Sequence, residues 1–231
     1  MSQRKKNNRS VKGWSLALSV VLAAQLIVLI PSCTIDAYDK GEGEYSLTSA
    51  ELVEAYVGAD KAVEYVETDR GERLDMQPAP KAKWIETADT VYRAALYYNK
   101  VAEGRAEPVS INRVGVLLPR DSMKGGMKTD PLYLESAWLA KNRRYLNLRL
   151  RLLTGAGDDE AVQTIGLLRD TLASTPSHVR LLLYHDQGGK PEYYSATTYA
   201  SIPLAEVDAD TLTLSVVTYD GVFTRMFPLR W

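Results

Sequence analysis

The chain has 231 residues, with 28 Lys and Arg against 29 Asp and Glu and a net charge of −1. Five of the basic residues (Arg4, Lys5, Lys6, Arg9 and Lys12) precede residue 33, where no acidic residue stands, so residues 33–231 carry 23 basic against 29 acidic side chains, a net charge of −6. That balance argues against nucleic acid as a partner, because such binding rests on many Lys and Arg contacts to phosphate.

The basic cluster is followed by an uncharged run, Trp14 to Ile30, and then by Ile30-Pro31-Ser32-Cys33. This is the layout of a secretory signal: basic, apolar, then small residues before a cut. A cut before Cys33 would resemble that of bacterial lipoproteins, with Ile30 three residues ahead and Ser32 directly ahead; Pro31 is not the small residue usual between them. Residues 1–32 are therefore expected to be a lipoprotein signal peptide and Cys33 a lipidation site. The run is near the lower limit of a spanning helix, which needs about 17–20 apolar residues, so an uncleaved anchor stays open. Cys33 is the single cysteine, so a lipid on it would leave the mature chain no disulfide and no cysteine chemistry. Residues 33–44, with Asp36, Asp39, Glu42, Glu44, Gly41 and Gly43, read as a flexible tether.

Residues 45–118 read as a first β-domain. Val63, Tyr65 and Glu67 are expected on one side of an extended run, Asp69-Arg70-Gly71-Glu72 as a turn, and Arg73-Leu74 as the return strand. The tyrosines of Thr90 to Lys100 favour a strand, and Val109 to Leu118 forms another before Pro119. Short strands at this spacing suit a partly closed barrel. Pro119 to Asp130, with Gly125-Gly126 and little apolar periodicity, reads as a linker at 119–130.

Residues 131–231 read as a second β-domain. In Tyr145 to Leu152, Leu146, Leu148, Leu150 and Leu152 alternate with Tyr145, Asn147, Arg149 and Arg151, so one face should be core and the other water. Ala161 to Asp170 is ambiguous: Val162, Ile165, Leu168 and Leu172 have helical spacing, but neighbouring strands tilt it to strand. His178 to Tyr184 and Tyr193 to Pro203 follow as strands. Thr211 to Tyr219 and Val222 to Leu229 flank Asp220-Gly221, a hairpin signal. The expected fold class is all-β: an N-terminal OB-like, partly closed barrel and a C-terminal antiparallel β-sandwich of about seven strands.

The chain resembles the NigD-like lipoproteins of Bacteroidetes. The resemblance lies in Tyr65-Val66-Glu67-Thr68-Asp69-Arg70-Gly71-Glu72-Arg73-Leu74, in Asp130-Pro131, in Trp138 and in Arg144-Tyr145-Leu146-Asn147-Leu148. It implies a lipobox, an OB-type barrel and a β-sandwich, and it carries over no catalytic or binding residue.

Chemistry is sparse. His178 and His185, an odd number of residues apart on one strand, should face opposite ways and share no metal. His185-Asp186 could imitate part of a hydrolytic triad, but no Gly-x-Ser-x-Gly elbow exposes a nucleophile. Asp158, Asp159 and Glu160 lack the ligand spacing of a calcium loop. Trp84 and Trp138 could stack on sugars, and Arg149 and Arg151 could meet an anion. Of the pairs Tyr97-Tyr98 and Tyr193-Tyr194, one member each should be core. The expectation is a non-catalytic protein with no cofactor beyond the lipid on Cys33, no metal and no nucleic acid. It would be anchored to the outer membrane, at the periplasmic face or the cell surface, and act through protein or envelope contacts. A glycan- or ligand-binding module is the alternative, and a hydrolase using His185 and Asp186 a third.

Overall fold

The computed structural model describes residues 48–156 and 161–230. Cys33, the tether, Asp158, Asp159, Glu160 and Trp231 lie outside the described residues. Apart from one 3-10 turn (Leu204–Glu206), the regular structure among the described residues is all strand.

Five strands form a closed barrel in the order β1-β2-β3-β5-β4: β1 (Ser49–Val57), β2 (Val63–Thr68), β3 (Arg73–Met76), β4 (Thr90–Ala102) and β5 (Arg105–Arg113). Its core holds Val53, Val63, Val66, Leu74, Leu96 and Ala106. The β2–β3 turn forms where expected. Gly71 has φ 84°, a conformation that costs glycine no Cβ clash. Thr68 Oγ1 accepts hydrogen bonds from the Arg70 and Glu72 amides. The side assignment within β2 needs correction. Val63 is buried with Val66 and Thr68, whereas Tyr65 and Glu67 are only half-buried. The β1–β2 register shifts between Tyr56 and Val57, and such a bulge turns the residues on either side of it to opposite faces.

The remaining strands form two sheets packed on a common core. One sheet has the order β14-β13-β11-β10-β7 and the other β6-β12-β9-β8. The members are β6 (Gly115–Val116), β7 (Pro119–Arg120), β8 (Tyr133–Leu139), β9 (Tyr145–Thr154), β10 (Thr164–Arg169), β11 (His178–Asp186), β12 (Tyr194–Pro203), β13 (Thr211–Thr218) and β14 (Gly221–Pro228). Strands β9 to β14 correspond to the six stretches expected as strands, and β8, around Trp138, brings the long strands to seven. Three pairings in these sheets depart from the antiparallel rule: the short rungs β7–β10 and β6–β12, and β11–β13, which run parallel because β12 crosses to the other sheet between them. Leu146, Leu148 and Leu150 are fully buried, contributing roughly 1.5–3 kcal/mol each before chain entropy is subtracted. Leu152 is half-buried.

The expected boundary at 118 and linker at 119–130 also need correction. Barrel strands end at Arg113. β6 pairs with Ala200–Ser201 in one sheet, and β7 pairs with Leu167–Leu168 in the other. Asp130 N donates to His185 O at 3.0 Å, and His185 N donates to Lys128 O at 3.1 Å. Rungs of two residues have no periodicity to read; their partner strands create them. Residues 164–169 are strand, and the helical spacing dissolves because Val162 and Leu172 are 63% and 98% exposed. The last hairpin closes one residue earlier than expected. Thr218 pairs with Gly221, so Tyr219-Asp220 is the loop.

Candidate functional site

Where barrel meets sandwich, a buried polar cluster joins them. Arg93 of β4 lies on the barrel's outer side, with its side chain 1% exposed. Its Nε donates to Ser201 Oγ at 3.0 Å, and its Nη2 donates to Asn147 Oδ1 at 3.0 Å and to Asp69 Oδ2 at 2.8 Å. Asn147 Nδ2 donates to Asp69 Oδ2 at 2.7 Å, and Ser201 Oγ donates to Asn147 Oδ1 at 2.8 Å. The guanidinium lies over the Tyr145 ring, 4.1 Å from its centroid. Beside it, Tyr145 Oη donates to Glu54 Oε1 at 2.8 Å. Burial, then the hydrogen bond to Glu54, pushes the Tyr145 phenol up to about 12. Arg144 pairs with Glu54 and, at 2.7 Å, with Glu67; the hydrogen bond to Glu67 first, and then Glu54, raises its pKa.

Asn147 was expected in water with Tyr145, Arg149 and Arg151. It is fully buried, because the barrel covers that end of β9. The sequence gives little sign of this cluster. Arg93 is one cation among Val91, Ala95 and Tyr97 on the outer side of β4, and its partners lie 24, 54 and 108 residues away.

Past the cluster the two domains diverge and leave a cleft of about 540 Å3. Glu51, Arg70 and Tyr97 line the barrel wall, Trp138, Arg149 and Tyr199 the sheet floor, and Lys141 one end. The floor is built by cross-strand register: Trp138 stands opposite Asn147, and Arg149 stands between Ser136 and Tyr199. On the wall, Glu51 accepts a hydrogen bond from the buried Tyr98 hydroxyl at 3.1 Å. Burial first, and the Glu51 charge second, push that phenol up to about 12. Arg70 lies 3.6 Å from Glu51, and Arg149 Nε lies 2.8 Å from Glu135.

Of the four sequence candidates, the structure brings Trp138 and Arg149 together. Trp84 is half-buried, donates from Nε1 to Ile111 O at 3.3 Å and meets Tyr92 edge-on at 5.5 Å. Arg151 lies over Tyr133, 3.9 Å from its centroid, beside a different hollow. Tyr97 is exposed and Tyr98 buried, as alternation requires. Tyr193 and Tyr194, by contrast, are 79% and 59% exposed. Tyr193 precedes β12, and Tyr194 pairs with Thr154 at the far end of β9, so neither reaches the core.

His185 is 1% exposed. Its Nδ1 donates to Asp130 O at 2.9 Å, and its Nε2 faces Gln163 Nε2 at 3.0 Å. Asp186 pairs with Lys128 at 2.7 Å, whose hydrogen bond holds the carboxyl below its usual range. The pair therefore assembles no nucleophile–base–acid array. His178 contacts Thr213 Oγ1 at 2.8 Å. Among the described residues no group of three His, Cys, Asp or Glu is arranged to hold a metal.

No family model and no curated protein matches the chain. Among solved structures, a NigD-like immunity protein from Bacteroides caccae is similar over 77% of this chain and 91% of its own length, with 27% identity and a TM-score of 0.63. A candidate toxin-related protein from Parabacteroides distasonis is similar over 78% of this chain and 92% of its own, at 16% identity and a TM-score of 0.59. A candidate lipoprotein from Bacteroides fragilis is similar over 78% and 96%, at 10% identity and a TM-score of 0.52. The last two likenesses concern the fold.

Proposed function

Because this chain belongs to the NigD-like family, we propose that it is a non-catalytic binding protein of the bacterial envelope, moored to the outer membrane by a lipid on Cys33. The observation that carries the binding reading is the cleft. Its walls are fixed by the buried Arg93 cluster, and its floor presents Trp138, Tyr199 and Arg149 to solvent. A few polar groups on an aromatic surface in a concave, preformed site are the usual makings of a ligand pocket. The B. caccae relative is described as an immunity protein, and a role exercised by contact rather than turnover suits that description.

The mooring rests on the basic, apolar and Ile-Pro-Ser-Cys order of residues 1–33. Among the described residues no helix is long and apolar enough to cross a membrane. Metabolic labelling with an alkyne palmitate tests the anchor. Wild type is expected labelled and in the membrane fraction, and Cys33→Ala unlabelled. Equal label in both overturns it.

A further inference from the structure

We propose that the cleft between barrel and sandwich binds a carboxylate-bearing oligosaccharide. This deepens the envelope-binding reading and rests on it.

Three observations converge on that chemistry. The first is aromatic. Trp138, Tyr97 and Tyr199 line one cavity, and Tyr97 is 40% exposed. Aromatic faces carry negative charge density and accept the weakly positive C–H face of a sugar ring.

The second is polarity that no protein group occupies. Trp138 Nε1 and the hydroxyls of Tyr97 and Tyr199 make no hydrogen bond among the described residues. Trp84 Nε1, Tyr98 Oη and Tyr145 Oη, which sit outside this lining, are by contrast taken up by Ile111 O, Glu51 and Glu54. The cleft thus holds a set of donors and acceptors spaced around apolar rings, which complements the hydroxyl-rimmed faces of a saccharide.

The third is charge. Arg70, Arg149 and Lys141 bring three cations to the lining, of which Arg70 is paired with Glu51 and Arg149 with Glu135. Asp69 is already matched from behind by Arg93 at 2.7 Å. Lys141 has no ionic partner among the described residues. The cleft is therefore net positive in a protein whose residues 33–231 sum to −6. A neutral sugar would leave Lys141 unmatched, whereas a uronate or sialate carboxylate would meet it. Charge-assisted hydrogen bonds of that kind are roughly twice as strong as neutral ones. A volume of about 540 Å3 falls within the range of small-ligand sites.

The test uses the full-length protein in detergent, first on an array carrying uronate, sialylated and neutral oligosaccharides, then by calorimetry. The titration probes are a tetragalacturonate and neutral maltotetraose. Tetragalacturonate is expected to bind at least tenfold more tightly than maltotetraose. Lys141→Ala and Trp138→Ala are each expected to weaken it by tenfold or more, and Tyr194→Ala, outside the cleft, to leave it unchanged. Lys141→Ala is the deciding variant, since a lysine without an ionic partner can be removed without disturbing the fold; the melting temperature of each variant checks this. A blank array, equal binding of acidic and neutral sugars, or full affinity in Lys141→Ala overturns the proposal. A blank array with the palmitate label intact removes the saccharide and leaves the anchored binding protein standing. Loss of the label removes the anchor, whatever the array reads. A cross-link from position 138 to a protein alone supports contact function and overturns the saccharide.

Discussion

Asn147 and Arg149 point the same way from the same strand, two residues apart. One is fully buried, hydrogen-bonded to Arg93, Asp69 and Ser201; the other is half in water, paired with Glu135. Alternation assigns both to the solvent side of the sheet, and locally it is right. The difference comes from a second domain that covers the first turn of that face and stops. A strand's outer face is polar wherever it meets water, but polar residues also serve where it meets another body, provided most of their atoms are hydrogen-bonded; in this cluster Asp69 Oδ1 and Arg93 Nη1 are the exceptions. The closed end of the seam locks the domains, and the open end is left to bind.

The sharpest way to break that contrast is to remove the cation at the closed end. Arg93→Leu leaves the Asp69 carboxylate and the Asn147 amide buried with their partner gone. It is expected to cost about 3–5 kcal/mol in urea unfolding. A cost below about 1 kcal/mol would mean the cluster holds nothing together. Asn147→Ala removes a neutral member of the same network and should cost about 1–3 kcal/mol.

Alkaline pH acts on the phenols at either end. Tyr98 and Tyr145 titrate near 12 in the folded protein against an ordinary value near 10. Their folded pKa values are raised, so the stability they contribute is whole below pH 10 and is lost as pH rises from about 10 to 12. The melting temperature should fall across that window, and less so in Tyr145→Phe. The smallest effect belongs to the open end. Arg149→Ala breaks an exposed ion pair and should change stability by less than about 1 kcal/mol while weakening tetragalacturonate binding. A large loss of stability there would erase the distinction between the two ends.

What could be read in advance follows the same division. The leucines of β9 were legible because a period of two is a local property of a half-buried strand. The β2–β3 turn was legible because Thr68 and Gly71 build it from within. Val63 was misplaced because a bulge opposite Tyr56 and Val57 reverses the count. Val162 and Leu172 mimicked a helix because two exposed apolar residues happened to complete the spacing. Trp138 and Arg149 were singled out for their types, but their meeting in one cleft depends on register between β8, β9 and β12. Arg93 was invisible for another reason: its role is set by partners far away in the chain.

The passage from barrel to sandwich, residues 114–120, is stitched down at both ends. Val114 N donates to Arg93 O at 2.9 Å, β6 adds a rung to one sheet and β7 to the other. No slack remains for a hinge. Opening or shutting the mouth between the domains would break the Val114–Arg93 bond and the Arg93 cluster together, so the aperture has one width, and a guest must fit it as found. Free and occupied forms should then superimpose closely in their backbones, and tightness would be set by how fast the guest escapes rather than by any closing motion.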